Sequence, residues 1–405
     1  MHPLGNRDFR LLLVTRVFAN LTMGFFEIAV IWWLLEKTGD KSLVAYVALC
    51  GSLAFLLAAP LGGTLADRFS KKQLIHLTYA IDIVLSIAGG VLLLEGWLTP
   101  VLAIVLMCIN NLAAAFRAPA LQSLMPMILE PDQYQQATAT MGLANNLASL
   151  ASFAVAGVLV AGLGSGETLF AQAFLLCLAA ICLAFLHEPQ LTAKLPNGSG
   201  NSVKSSMSDG FKAVLGNSSL LALVTTATLL NFIVAPLGVL MAPYAKELGA
   251  GAAIYGLLGA SIVTGQLLGL LFMNLVKVKR PIQWLLGGTF GFAIGLLVLA
   301  LAPHYALAAI GLLIAGICAT LINVQAEVFI QRSVSRELLG RAFGILSALS
   351  MSAQPAGYAL AGFLLTYISI PHILIGMSLL LCLAATAWLR PSIRNSGLQG
   401  QPESG

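Results

Sequence analysis

The chain has 405 residues, of which 59% are hydrophobic and 9% charged, with a formal net charge of +5. Soluble domains carry about 25% charged residues, and a water-exposed fold of this length cannot hide a mean hydropathy of +0.92. The bilayer must be the solvent for most of the surface, which excludes a soluble enzyme.

A run of about 20 apolar residues spans the hydrocarbon core. Twelve such runs occur, at 11–34, 43–66, 74–94, 99–121, 136–162, 168–187, 219–243, 252–276, 282–302, 305–329, 341–367 and 371–389. The first follows Arg7 and Arg10, is about 24 residues long and has no small-residue cleavage site, so it is expected to be retained as a helix. Trp32 and Trp33 near its end suit an interfacial anchor. Between the second and third runs stands GGTLADRFSKK, which places Asp67, Arg68, Lys71 and Lys72 within six positions. Most connectors are short, but residues 188–218 are polar and rich in Gly, Ser and Lys. They divide a first six-run half, 1–187, from a second, 219–390, followed by a tail, 391–405.

If the N-terminus is cytoplasmic, seventeen lysines and arginines fall on the inside, while only Lys37, Lys41 and Lys246 fall outside. By the positive-inside rule both termini are cytoplasmic. The basic excess is thus a topology signal and makes no case for nucleic acid. A faint repeat supports two halves. Gly63 matches Gly269, the stretch 132–137 matches 337–342, and Gly157 matches Gly362, all at offsets of 205 or 206 residues. Similar halves related by an axis along the membrane normal are one known transporter plan.

Gly63, Leu65, Ala66, Asp67, Arg68, Lys71, Lys72 and Ile75 fit the pattern G-x-L-a-D-r-x-G-r-k-x-x-l. On these residues the loop resembles the signature of the major facilitator superfamily; Ser70 stands where that family prefers Gly, and Lys71 where it has Arg. The opening residues 7–40 and FRAPALQSLMP (116–126) resemble the twelve-helix exporters that include macrolide-efflux and enterobactin-exporter proteins. The resemblance implies an all-α membrane protein with twelve transmembrane helices in two pseudo-symmetric six-helix bundles. It also implies a cavity lined by helices one, two, four and five and their counterparts seven, eight, ten and eleven. Asp67 would face the start of the eleventh helix at Gly340 and Arg341. Exporters favour Gly-Pro-x-x-Gly-Gly in helix five, where this chain reads Ser152-Phe-Ala-Val-Ala-Gly157, with Phe153 in place of the proline.

Physically, Gly63 suits a close helix approach, and Asp67 can pair with cations or helix N-terminal amides. With Arg68, Arg117 and Arg341 these form a candidate cytoplasmic gate; the bland reading is that the cations only hold the loop inside. Charges within runs are costly, about 2.5–3.5 kcal/mol at the bilayer centre, and must face protein or water. Arg16, Asn20 and Glu27 lie within about 40° of one another on the first helix, a single polar stripe. Arg16 and Glu27 are about 16 Å apart along the axis, too far to pair. Glu27 is a candidate for proton coupling or substrate charge, or else a structural partner. Asp82 either shares that role or bonds a neighbouring helix, and Glu327, one turn after Asn323, either lines a cavity mouth or reaches water. Asn110, Asn145, Asn231, Gln354 and Tyr358 are further candidate lining residues, the alternative being helix-to-helix bonds of about 0.6 kcal/mol each. Pro236 and Pro355 are expected to interrupt helices seven and eleven.

No Walker loop, GxSxG or HExxH is present, so no enzyme, cofactor or metal is expected. The six cysteines, all within apolar runs, are expected as packed thiols. The sequence reading is a monomeric secondary active transporter of a bacterial cytoplasmic membrane. It is expected to export a small amphipathic molecule against proton entry. A proton-coupled importer and a non-transporting receptor or scaffold on the same fold are the alternatives.

Overall fold

The computed structural model describes residues 3–188, 218–276, 281–333, 346 and 348–387. Among them every regular element is helical. Ten helices are long and apolar enough to cross a membrane: Arg7–Thr38, Lys41–Gly63, Lys71–Leu94, Pro100–Ile128, Tyr134–Gly162, Ser165–Ala184, Val224–Glu247, Ala252–Leu275, Gln283–Ala300 and Tyr305–Ile330. Two further apolar helices, Gln354–Tyr367 and Ile370–Ala387, fall on the last two predicted runs. Each run therefore holds a helix, and they are numbered here as the first to twelfth spans. The linker 189–217, the tail and Arg341 lie outside the described residues, as do the side chains of Asp67 and Arg68.

The turns between spans follow from local chemistry. Asn6, Asp40, Ser70 and Thr99 each accept backbone N–H groups at a helix start, a cap worth about 1 kcal/mol. Ser70 explains its own departure from the family glycine: its φ is −57° and its hydroxyl receives the Gln73 amide. Glu188 completes that corner. Its carboxylate receives the Ser70 hydroxyl and the backbone N–H of Lys71 at 2.8 Å, while Lys72 Nζ donates to the Ala184 and Leu186 carbonyls. An anion thus sits at the start of the third span and a cation at the end of the sixth, each where the helix dipole favours it.

By contacts the chain divides into two compact units, Met1–Leu191 with Gly238–Ala260, and Thr192–Leu237 with Ser261–Gly405. The division falls inside the seventh span, just past its break at Ala235, before Pro236. The eleventh span restarts at Gln354 with Pro355 in its first turn. A third break was not expected. The first span consists of Arg7–Leu21 and Met23–Thr38, joined at Thr22, whose hydroxyl bonds the Ala19 carbonyl at 2.8 Å.

Within each unit small residues set the close contacts, as expected where lipid offers no hydrophobic drive to association. In the first unit Gly62 abuts the Ala115 carbonyl between the second and fourth spans, and Gly90 abuts Phe170 and Gly166 between the third and sixth. In the second unit Gly265 and Gly316 press the eighth span onto the tenth, and Gly295 and Gly311 the ninth onto the tenth. One expectation needs correcting here. The close-packing glycine of the charged loop is Gly62; a Cβ placed on Gly63 would meet nothing within 4 Å, because Gly63 is turned one position further around the helix.

Candidate functional site

Two places in the first unit hold the charges expected within the spans. Around the third and fourth spans, Arg117 is ion-paired with Asp82, the two side chains 20% and 3% exposed. Asn110 Nδ2 donates to the second carboxylate oxygen at 3.1 Å. Tyr79, one turn before Asp82 and fully buried, lies under the Arg117 guanidinium at 5.5 Å from the ring centroid. Tyr79 is also within electrostatic reach of Arg16 from the first span. Arg117, expected at the Asp67 gate, is therefore held by Asp82 in this structure, with Asn110 bound into the same group rather than standing alone. Burying an ion pair costs desolvation that its attraction repays only with added hydrogen bonds, which Asn110 supplies.

Glu27 stands apart, beyond the Thr22 break. Its carboxylate forms no hydrogen bond or ion pair among the described residues, and its electrostatic neighbour is Tyr255 of the eighth span. Trp32 stacks on that tyrosine with ring centroids 6.2 Å apart, and its indole N–H bonds Glu36 at 2.7 Å. At 5% exposure, Trp32 is not the expected interfacial anchor: a ring stacked against protein is not available to the headgroup layer.

The same end of the first unit is closely packed. A Cβ on Gly157 would lie 2.8 Å from both the Ala252 carbonyl oxygen and the Gly256 α-carbon, so the two helices meet backbone to backbone. Lys246 Nζ bonds the Leu35 carbonyl at 3.0 Å, and Lys41 pairs with Glu247 at 2.5 Å. Ser152 accepts the Gly24 N–H at 2.8 Å, satisfying an amide near the Thr22 break. Although Phe153 replaces the family proline, the fifth-span stretch 152–157 still packs backbone to backbone against the eighth span.

The amides expected to line a cavity turn out to be paired. Asn20 Nδ2 donates to Asn145 Oδ1 at 3.1 Å and to the Arg16 carbonyl at 2.8 Å, joining the first and fifth spans. In the second unit Gln354 Nε2 donates to Asn231 Oδ1 at 2.9 Å, and Asn231 Nδ2 to the Ala227 carbonyl at 2.9 Å, joining the seventh and eleventh spans. The two clasps join corresponding pairs of spans, first with fifth and seventh with eleventh. Beside the second lies a cavity of about 520 Å³, lined by Thr225, Thr228, Leu229, Phe232, Leu349 and Ser352 among others. Tyr358 is half-buried on the same eleventh span, whereas Asn323 and Glu327 are exposed on one face of the tenth. Sequence reasoning missed Tyr79 and the cavity hydroxyls Thr225, Thr228 and Ser352. A tyrosine three residues before an intramembrane aspartate, and threonines three apart, were the available signals.

Comparison with known proteins agrees with this architecture. A family model of the major facilitator type, described as transmembrane secretion effector, matches residues 1–401. Macrolide efflux protein A of Streptococcus pyogenes is 23% identical over 393 residues, covering 94% of this chain and 95% of that one. Multidrug efflux pump Tap of Mycobacterium tuberculosis is 24% identical over 414 residues, covering 97% and 96%. Among solved structures, the nucleoside transporter NupG superposes with a TM-score of 0.76 at 12% identity, over 97% of this chain and 99% of that one; at that identity the likeness speaks for the fold.

Proposed function

Because the chain belongs to the transmembrane secretion effector family of the major facilitator superfamily, we propose that it is a secondary active exporter of a small amphipathic molecule, a drug-like compound or siderophore-type metabolite. The observation that carries this reading is the cavity of about 520 Å³. Its apolar walls, with three hydroxyls, suit a ligand that is mostly hydrocarbon with a few polar groups. Two relatives that match nearly end to end bear efflux in their names, which favours export over import.

The driving force in this proposal is proton entry, with Glu27 as the carrier. A carboxylate inside a span with no fixed partner can change protonation without dismantling a network. One elementary charge moving through 100 mV supplies about 2.3 kcal/mol, equivalent to a concentration ratio of about fifty-fold. The proposed transport cycle is alternating access. The Gly157–Gly256 contact would part when its end opens, and the opposite end would be latched by Asp67 against the start of the eleventh span at Arg341. The distribution of lysine and arginine supports both termini in the cytoplasm. The protein would act as a monomer in the cytoplasmic membrane.

The test is accumulation of radiolabelled erythromycin and of ethidium in cells lacking or overproducing the protein. Overproduction should lower steady-state accumulation of at least one compound several-fold, and a protonophore should abolish the difference. Accumulation that ignores both the protein and the protonophore counts against export.

A further inference from the structure

We propose that Arg16, assisted by the Tyr79 hydroxyl, forms an oxyanion site inside the first unit, and that the exported molecule carries a matching group, a carboxylate or acidic phenol. This rests on the export reading and narrows its substrate class.

Charge around Tyr79 is unbalanced. Arg117 lies 5.5 Å from the Tyr79 ring centroid and Arg16 is within electrostatic reach of the same tyrosine, but among the described residues one carboxylate, Asp82, is bonded in this cluster. Asp82 is taken up by Arg117 on one oxygen and Asn110 on the other. Among the described residues the ion pairs are Arg117–Asp82 and Lys41–Glu247, so Arg16 has none. Glu27 is 11 residues further along the same span, about 16 Å away.

Polar atoms without partners mark the same place. Arg16 Nε is buried and unbonded, and so is the hydroxyl of Tyr79, a residue with 0% exposure. Buried polar atoms in native proteins nearly always find partners, and the exceptions call for an explanation. Both can donate, and in the proposal the oxyanion of the exported molecule accepts from both. The guanidinium fork matches two oxygens of a carboxylate and is the preferred partner for planar oxyanions. Arg16 is itself only partly buried, so it can be reached while Tyr79 backs it. The Arg16 carbonyl accepts from the Asn20 amide, which fixes the first span at this level against the fifth.

The experiment uses the full chain in phosphatidylcholine nanodiscs, with calorimetric titration of 2-naphthoate and of 2-naphthylmethylammonium, amphiphiles matched except in charge. Wild type should bind the anion about tenfold or more tightly than the cation, the range of a charge-assisted hydrogen bond. Arg16→Gln should abolish the preference and Arg16→Lys should keep much of it. Tyr79→Phe removes a hydroxyl that bonds nothing in the resting protein. It should weaken 2-naphthoate several-fold without lowering the melting temperature, which a purely structural role would not do. Equal affinities in wild type, or a preference that survives Arg16→Gln, would overturn the proposal. Displacement of 2-naphthoate by added phosphatidylglycerol would assign the site to a lipid phosphate and overturn the substrate assignment. Binding requires no turnover, so a negative result leaves export standing, whereas anion binding without efflux in cells would remove export alone.

Discussion

The two units share a scaffold and differ in what they place on it. Both press glycine-bearing helices together on corresponding spans, Gly62 on the fourth span in one, Gly265 and Gly269 on the tenth in the other. Both tie a first helix to a fifth through an amide pair, Asn20–Asn145 and Asn231–Gln354. Yet the first unit buries Asp82, Arg117 and Tyr79 and holds Arg16 and Glu27. The second has no ion pair among its described residues and instead leaves an apolar cavity beside its clasp. A duplicated frame lets charge and apolar volume be varied separately from one unit to the other.

The sharpest way to break this comparison is to unbalance the charged unit. Asp82→Asn leaves the Arg117 guanidinium without its carboxylate, and losing one partner of a buried pair costs about 3–5 kcal/mol. The solubilised protein should lose its monodisperse peak at a temperature well below wild type in fluorescence-detected chromatography. The double variant Asp82→Asn with Arg117→Gln should recover part of the loss, and an unchanged profile in the single variant would mean that the pair contributes nothing.

Next in size is the glycine contact. Gly157→Leu forces a side chain into backbone 2.8 Å away, and overpacking costs about 1–3 kcal/mol. Closure of that end should become about tenfold or more rarer, with transport falling likewise at unchanged abundance; full transport would show the contact to be dispensable. Smaller still is the effect expected in the second unit. Thr228→Val and Ser352→Ala alter the cavity's hydroxyls without changing charge, so substrate preference should shift a few-fold while proton dependence stays intact. A lost proton dependence would dissolve the division between units. The smallest effect tests the shared frame. Asn20→Ala and Asn231→Ala should each cost about 0.6 kcal/mol in melting experiments, equally within error; a large inequality would mean the clasps are not equivalent.

How much of this was legible depends on whether a signal was local. Span positions followed from hydropathy, and the breaks at Ala235 and before Gln354 followed from Pro236 and Pro355, because proline blocks a helical bond wherever it stands. The Thr22 break carried no such mark. It depends on the Ser152 hydroxyl, 128 residues away, receiving the Gly24 amide. The polar residues were individually conspicuous, but which amide meets which is a property of helix rotation. So Asn110 and Arg117 converge on Asp82 across 28 and 35 residues, a grouping that no spacing on one helix encodes. Gly62 and Gly63 show the same limit: adjacent on the chain, they point about 100° apart, and only one faces the fourth span.

Proton entry through the first unit is the proposed driving force for export, and Glu27 is where that is most exposed to test. Proteoliposomes with a trapped pH-sensitive dye should show proton movement when a transported substrate is added to wild type. With Glu27→Gln the proton signal should vanish while exchange of labelled for unlabelled substrate continues. Substrate-driven proton flux at the wild-type rate in that variant would contradict the account.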